Sequence, residues 1–197
     1  MSVNTPPAKW LRTLFYLHIG MLAATCLSWL PIQDLWVTWL KRILIIGTVF
    51  CLYQLSSLNE HYRKAMIFRF IYIAGVLITP LVFRASLIVL AVSVFSILGA
   101  YQEYHGHSRL IAEKDPVLSG KWERFFGWAL LVELLMSFGS SILSVVSVLM
   151  GFDLSEVIAT VMITISLPRL IIDILYLVYM NRTVRLLEAE EGDFYDN

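Results

Sequence analysis

The sequence has few charged residues for its length. Only 15% of its 197 residues are Asp, Glu, Lys or Arg, whereas 58% are hydrophobic. Soluble domains average about 25% charged residues and about 45–50% apolar ones. A water-soluble fold of this size cannot bury so much apolar surface, and proteins with large exposed apolar patches associate or precipitate. The composition therefore excludes an ordinary soluble domain and indicates a membrane protein.

The sequence also lacks the signatures of several functional classes. Its two cysteines, Cys26 and Cys51, both lie in apolar segments and cannot form the disulfide framework of a small secreted domain. The net charge is zero, which gives no argument for nucleic-acid binding. No G-x-S-x-G elbow, G-x-x-x-x-G-K-[ST] loop or G-x-G-x-x-G fingerprint is present. We therefore expect no nucleotide or other cofactor, and the balance is against an enzyme.

What the sequence has instead is a series of long apolar stretches. A helix rises 1.5 Å per residue, so about 20 residues cross the hydrocarbon core of a bilayer. Six stretches approach or exceed this length, and they are interrupted only by short polar segments. The predicted spans are residues 13–33, 43–59, 65–83, 85–102, 125–152 and 157–181.

The third and fourth spans are separated by the shortest interruption. Residues 70–102 contain one charged residue, Arg84, and as a single helix they would extend about 50 Å, which is too long for one crossing. Pro80 and Arg84 therefore predict a turn. The pair either crosses the membrane fully or re-enters on the same side, and both readings leave the flanking loops on one side.

The distribution of basic residues gives the orientation. With six spans, only Lys41, Arg42 and Arg84 fall on the side opposite the N-terminus, whereas most other Lys and Arg residues share the side of both termini. The positive-inside rule then places both termini in the cytoplasm. Tryptophans are expected in an interfacial belt at the span ends, and those at predicted ends are Trp10, Trp36, Trp39 and Trp122.

The predicted fold is an all-α polytopic membrane bundle of six transmembrane helices in three hairpins, forming one membrane domain over residues 1–197. We expect it in the plasma (inner) membrane of a bacterium. A cytoplasmic loop at 103–124 joins the second and third hairpins, with Asp115 and Pro116 predicted as N-cap and first residue of the next helix. The acidic tail, residues 188–197, is expected to be solvated and mobile.

Apart from Arg69, which lies one turn inside the start of the third span, four ionisable residues fall inside predicted spans. Each costs several kcal/mol there and needs a partner or a role. His18 is in the first span, Glu133 in the fifth, and Arg169 and Asp173 in the sixth. Glu133 and Asp173 lie at similar predicted depth, so two acids and one arginine form a buried cluster. Either this cluster handles a proton or cation, or it fixes helix packing as a salt bridge. His18 is expected to be a hydrogen-bonded core histidine.

Pro168 precedes Arg169 inside the sixth span. Proline cannot donate to the carbonyl of the residue four positions earlier, and its ring displaces that carbonyl. We therefore predict a helix kink at Pro168, with the released carbonyl of Thr164 available to Arg169.

The predicted cytoplasmic edge offers a weak set of metal ligands. The side chains are of types suited to zinc or non-haem iron, but their spacing matches no established metal motif. A polar membrane edge is the favoured explanation for them, and no bound metal is predicted. The residues are Glu60, His61, Glu103, His105 and His107.

Three functions remain open at this stage. The first is a transporter, or an integral transporter subunit, for a small solute or ion that uses the buried acid and arginine cluster. The second is a non-catalytic accessory or assembly protein that binds another membrane protein or itself. The third is a membrane-embedded, metal-dependent enzyme. In each case the protein is expected to be embedded in the lipid bilayer, and no nucleic acid is expected as a partner.

Overall fold

A computed structural model of the chain describes residues 6–28, 34–78, 85–135 and 155–195. Within these ranges the protein consists of six α-helices and no strand, so the predicted all-α class is confirmed. That six helices cross a membrane stays a prediction. The helices are α1 Pro7–Leu27, α2 Asp34–Leu55, α3 Glu60–Ile78, α4 Ala85–Ile111, α5 Pro116–Leu134 and α6 Ser155–Tyr195.

The helices pack as a closed ring. Each helix contacts the next one along the chain, and α1 also packs against α6. Short connections favour this order because sequential antiparallel helices bury their facing stripes against each other. The ring gives all six helices access to one shared interior, where the candidate site is found.

Polar caps fix two of the helix starts. Asp115 Oδ1 accepts a hydrogen bond from the backbone N–H of Leu118 at 2.8 Å, and Pro116 is the first residue of α5, as the sequence predicts. At the start of α3, Asn59 Oδ1 accepts from the backbone N–H of Tyr62 at 3.1 Å. Asn59 Nδ2 also donates to the Gly106 carbonyl at 3.3 Å, which ties α3 to α4.

Two helices run further than predicted. Helix α4 continues to Ile111, well into the expected loop at 103–124. Helix α6 continues through Pro168 and ends at Tyr195, so most of the segment 188–197 is helical. Glu188 within that extension forms an ion pair with Arg12 of α1, which holds the end of α6 against the ring. The predicted turn at Pro80 and Arg84 lies outside the described residues.

The best-packed part of the interior lies toward the end of the ring that carries the N-terminus. Trp122 is fully buried there, and its Nε1 donates to Thr183 Oγ1 at 3.1 Å, joining α5 to α6. The prediction that Trp122 belongs to an interfacial belt is therefore wrong: its indole anchors the core. Trp36 and Trp39, in contrast, are exposed.

Two described helices, Pro7–Leu27 and Leu35–Leu55, are long and apolar enough to cross a membrane by length and composition. Only 17% and 22% of their most apolar stretches are buried within the protein. Most residues in these stretches are therefore half-buried or exposed.

Candidate functional site

The first part of the site is the Arg169 cluster, formed by Glu133, Arg169 and Asp173. Arg169 Nη1 donates to Glu133 Oε2 across the α5–α6 interface. Arg169 Nε lies 3.3 Å from Asp173 Oδ1, one turn along α6. The structure thus brings the three predicted residues together, with two acids on one guanidinium. All three side chains are partly exposed, at 28–41%, so the cluster borders open space.

Pro168 sits inside α6, which continues on both sides of it. The Thr164 hydroxyl donates to the Thr160 carbonyl at 2.8 Å. Arg169 directs its guanidinium at the two carboxylates, and these account for its position without the carbonyl that Pro168 is predicted to release. The predicted kink stays a prediction.

A second set of buried polar groups, not predicted as a unit, lies in the same ring. Its centre is Glu103 of α4, which has no solvent exposure. Glu103 Oε2 accepts from Arg69 Nη2 of α3 at 3.2 Å, and Glu103 Oε1 accepts from the Tyr176 hydroxyl of α6 at 2.7 Å. A buried carboxylate is tolerated only when it is paired and hydrogen-bonded. We call this set, with Tyr62 and His107, the Glu103 network.

His107 and Tyr62 extend the network toward the start of α3. The Tyr62 hydroxyl lies 2.8 Å from His107 Nδ1, and His107 Nε2 lies 3.4 Å from the Tyr176 oxygen. Since Tyr176 gives its proton to Glu103, its oxygen is free to accept from His107 Nε2–H, and Nδ1 then accepts from Tyr62. The donors therefore follow one another in a single series, from Tyr62 to His107, from His107 to Tyr176 and from Tyr176 to Glu103. Burial lowers the pKa of His107 to about 4, which keeps this imidazole neutral.

His18 of α1 also approaches Glu103. Its Nδ1 lies 2.9 Å from the Leu14 carbonyl, its ring packs on Tyr176 with centroids 4.5 Å apart, and its Nε2 lies 3.6 Å from Glu103 Oε1. His18 is hydrogen-bonded within the core, as expected of it. Its Nε2 also faces a buried carboxylate.

Two cavities lie beside these groups. The inner cavity has a volume of about 130 Å³ and is lined mainly by α1, α2 and α6, with Arg69 and Tyr104 from α3 and α4. The side cavity has a volume of about 60 Å³ and reaches α5, including Glu133. A water needs about 10–15 Å³ of such space, so each cavity is large enough for several waters or a small solute. Both are lined by Arg69, Tyr104, Arg169 and Asp173.

Arg69 is the residue with unused donor capacity. Its Nη2 is bonded to Glu103, but its Nε is buried with no hydrogen-bond acceptor among the described residues. Its stem crosses Gly99 of α4, where an added Cβ would lie 3.3 Å from the Arg69 Cδ. Gly99 therefore leaves the space in which Arg69 reaches the cavities.

The predicted metal candidates do not converge. Glu60 is exposed and bonded to Lys64 at 2.8 Å, and that hydrogen bond lowers the pKa of Glu60. His61 Nδ1 lies 2.8 Å from Gln102 Oε1, and its ring centroid is 5.9 Å from that of His105. Within the part of the chain that the structure describes, no three His, Cys, Asp or Glu side chains are placed to hold a metal ion.

The sequence alone places Arg69 one turn inside the third span and Glu103 at the cytoplasmic edge, and it does not pair them. The antiparallel packing of α3 on α4 places His61 opposite Gln102. In that register Glu103 lies well beyond the position opposite Arg69, and the Arg69 side chain passes Gly99 to reach it. A predicted hairpin alone therefore does not pair the two residues.

Comparison with protein-family models, with curated proteins and with solved structures finds nothing that matches this chain. The function is therefore argued from the residues of the site.

Proposed function

We propose that this protein is a multi-pass membrane protein that binds a small solute or ion in the inner cavity and carries it across the membrane, alone or as an integral subunit of a transporter. The observation that supports this most is the inner cavity itself, because it places two guanidinium groups, a carboxylate and an imidazole inside a ring of apolar helices. The residues are Arg69, Arg169, Asp173 and His18.

The distribution of side chains supports a membrane setting. In a soluble fold, charged groups lie outside and large apolar groups inside. Here charged groups meet in the interior, whereas large apolar side chains are more than half exposed at many outward positions of the described helices. Examples are Trp36, Ile46, Phe50, Phe70, Leu77, Trp128, Leu167 and Ile171. Lipid is the solvent in which such a surface is stable.

The excess of basic residues on the side of the termini supports the orientation with both termini in the cytoplasm. In this orientation the tightly packed end of the ring, with Trp122 and Tyr62, faces the cytoplasm, and the inner cavity lies deeper in the membrane.

The Arg169 cluster is the proposed coupling element. Two carboxylates share one guanidinium, so the cluster carries one net negative charge when both are ionised. A cation or proton neutralises that charge, and in low dielectric the gain is larger than in water. Since Asp173 lines both cavities, the neutralised and ionised states present different charges to a bound solute. This difference is the physical basis for coupling.

The test is flux in proteoliposomes. The full-length chain is reconstituted with pyranine inside the vesicles, and gradients of small anions, cations and zwitterions are applied one class at a time. We expect one class to drive a proton flux above that of empty liposomes. Glu133→Gln and Asp173→Asn should abolish the flux, because each removes a charge from the cluster.

Glu123→Gln is the matched control, since Glu123 lies on the same helix as Glu133 but is exposed; its flux should equal that of the wild type. If no solute class gives protein-dependent flux, or if both cluster variants transport normally, the proposed function is wrong.

An apolar groove favours a second candidate, an accessory protein that binds another membrane protein. The groove runs between α2 and α3, has a volume of about 500 Å³ and is lined entirely by apolar or aromatic side chains, among them Phe50 and Phe70. A partner helix would fill it. Extraction in a gentle detergent should then yield a stoichiometric complex that Phe50→Ala and Phe70→Ala disrupt, and a protein that purifies alone and is active in liposomes contradicts this candidate.

A further inference from the structure

The contact between His18 and Glu103 is unusual in its proton arrangement. The Leu14 carbonyl can only accept, so the hydrogen bond at His18 Nδ1 requires a proton on that nitrogen. In the neutral imidazole the other nitrogen, Nε2, then carries a lone pair. That lone pair faces Glu103 Oε1 at 3.6 Å. Two electron-rich atoms thus meet in the interior with room for one proton between them.

Other groups around this pair do not supply that proton. The Tyr176 hydroxyl already donates to Glu103 Oε1, and Arg69 Nη2 donates to Oε2. His107 Nε2 lies 3.9 Å from Oε1 and has the Tyr176 oxygen as its nearer acceptor. From α2 the inner cavity is lined by uncharged residues. The titratable or charged groups that face His18 are Arg69 on α3, Glu103, Tyr104 and His107 on α4, and Arg169, Asp173 and Tyr176 on α6.

We propose that the His18–Glu103 pair binds one proton, and that this proton allows Arg69 to bind a small oxyanion in the inner cavity. This inference rests on the proposed function and names its solute class: an anion of carboxylate type, taken up together with a proton. The proton comes from water that reaches the cavity and binds at His18 Nε2, which then donates to Glu103.

Charge favours this order of events. The charges at the inner cavity are those of Arg69, Arg169 and Asp173, with Glu103 bonded directly to Arg69. Glu133, which is bonded to Arg169, adds a further negative charge. With His18 neutral these five charges sum to one net negative charge, which disfavours an anion. Protonation of His18 cancels that charge, gives Glu103 a second cationic partner and weakens its hold on Arg69, so that the guanidinium becomes available to an oxyanion.

The donors of Arg69 set the chemistry of the ligand. The buried Nε of Arg69 lacks an acceptor among the described residues, and a guanidinium presents its Nε and Nη donors side by side, in a fork that matches carboxylate oxygens. A cation offers no acceptor to this group. The volume of about 130 Å³ limits the ligand to a few heavy atoms beyond the carboxylate itself.

The experiment compares two probes of equal shape and opposite charge, acetate and acetamidinium. The purified full-length protein in detergent is heated in a concentration series of each, at pH 5.5 and pH 7.5 and constant ionic strength. A ligand that binds the folded state raises the unfolding midpoint in a saturable way and yields a Kd. We expect acetate to bind and acetamidinium not to bind. Acetate affinity should rise as the pH falls, by up to about tenfold per pH unit for one linked proton.

Two substitutions identify the residues. His18→Asn keeps a donor for the Leu14 carbonyl but cannot take up a proton, so the acetate Kd should change less than about twofold between the two pH values. His105→Asn is the matched control, because His105 Nδ1 contacts the Tyr101 carbonyl at 3.1 Å with the same spacing of four residues but does not line the cavity. It should keep the wild-type pH dependence.

Arg69→Gln should weaken acetate binding at least about tenfold at both pH values, whereas Arg124→Gln, at an exposed position, should leave it unchanged. If Arg69→Gln does not fold, the inference is tested by the acetate binding of the wild type and of His18→Asn at the two pH values. Binding of acetamidinium instead of acetate, no binding of either, or an unchanged pH dependence in His18→Asn overturns the inference. The flux test of the proposed function is independent of this result, since a carrier of cations passes that test and fails this one.

Discussion

Replacing Glu103 with glutamine tests whether the Glu103 network holds the ring together. The substitution keeps the size of the side chain but removes its charge. Arg69 then remains in the interior with its guanidinium bonded to a neutral amide, and the Tyr176 hydroxyl loses a charged acceptor. Both changes act on the folded state at a site with no solvent exposure. The fold should therefore lose stability although no atom is removed from the core.

The magnitude follows from the burial of the pair. Breaking a buried ion pair by removing one partner costs about 3–5 kcal/mol, because the remaining charge is uncompensated. For a chain of 150–250 residues, 1 kcal/mol corresponds to a shift in unfolding midpoint of about 2–4 °C. We therefore expect Glu103→Gln to lower the midpoint by about 6–20 °C. Adding Arg69→Gln removes the orphaned charge and should recover much of that loss, with a coupling energy of about 2–3 kcal/mol.

The assay is thermal unfolding of the two single variants, the double variant and Glu123→Gln in one detergent. Glu123 is exposed, and its hydrogen bond from Ser108 Oγ is 3.3 Å long, so its loss should cost less than about 1 kcal/mol. A Glu103→Gln protein as stable as Glu123→Gln, or single effects that simply add in the double variant, would refute a buried, coupled pair.

The remaining predictions concern groups around this network. Gly106→Ala should destabilise the protein, because its Cβ would lie 2.8 Å from the Tyr62 ring, whereas Gly120→Ala meets nothing within 4 Å and should stabilise its helix by about 0.5–1 kcal/mol in the same thermal assay. His107 takes up a proton below pH 6.5 in the unfolded chain, but in the folded state only near its lowered pKa of about 4. The stability of the folded state should therefore fall as the pH drops between these two values, by up to about 3 kcal/mol. His107→Gln should reduce that fall when the midpoint of thermal unfolding is measured over a series of pH values. Asp115→Ala removes an N-cap and should cost about 1 kcal/mol, with Asp115→Asn close to wild type.

The helices were predictable because each depends on local information. Apolar stretches of sufficient length and the sequence Asp115–Pro116 locate helices without knowledge of their neighbours. The ends were less predictable. Helix α6 extends to Tyr195 although the composition of its last residues alone indicates a solvated tail, and Glu188 at the start of that segment pairs with Arg12 of α1, a contact between distant parts of the chain.

Of the two parts of the site, the Arg169 cluster was predictable from the sequence and the Glu103 network was not. Depth alone was enough to group Glu133 with Arg169 and Asp173. The Glu103 network joins residues of α3, α4 and α6, and whether Glu103 faces the interior or the solvent depends on the rotation of α4, which apolar composition does not fix. An acidic residue at a predicted membrane edge resembles an ordinary surface charge until its packing is known.

The proposed function requires a polar cavity that is open to water, inside a ring whose outer surface faces lipid. Two positions on α2 test it. Thr48 lines the inner cavity and is 5% exposed, whereas Phe50 points outward and is 53% exposed. Single cysteines are placed at each position in a background with Cys26→Ser and Cys51→Ala. Intact membranes are then treated with positively charged 2-aminoethyl methanethiosulfonate. The protein is afterwards denatured and treated with a maleimide, which reacts only with the cysteines that the first reagent left unmodified.

The reagent reacts with thiolates in water and not with thiols in hydrocarbon. We therefore predict that Thr48→Cys is labelled and that Phe50→Cys is protected, in the reverse order of their exposed fractions. Faster labelling of Phe50→Cys than of Thr48→Cys would place the outer face of α2 in water and contradict the account.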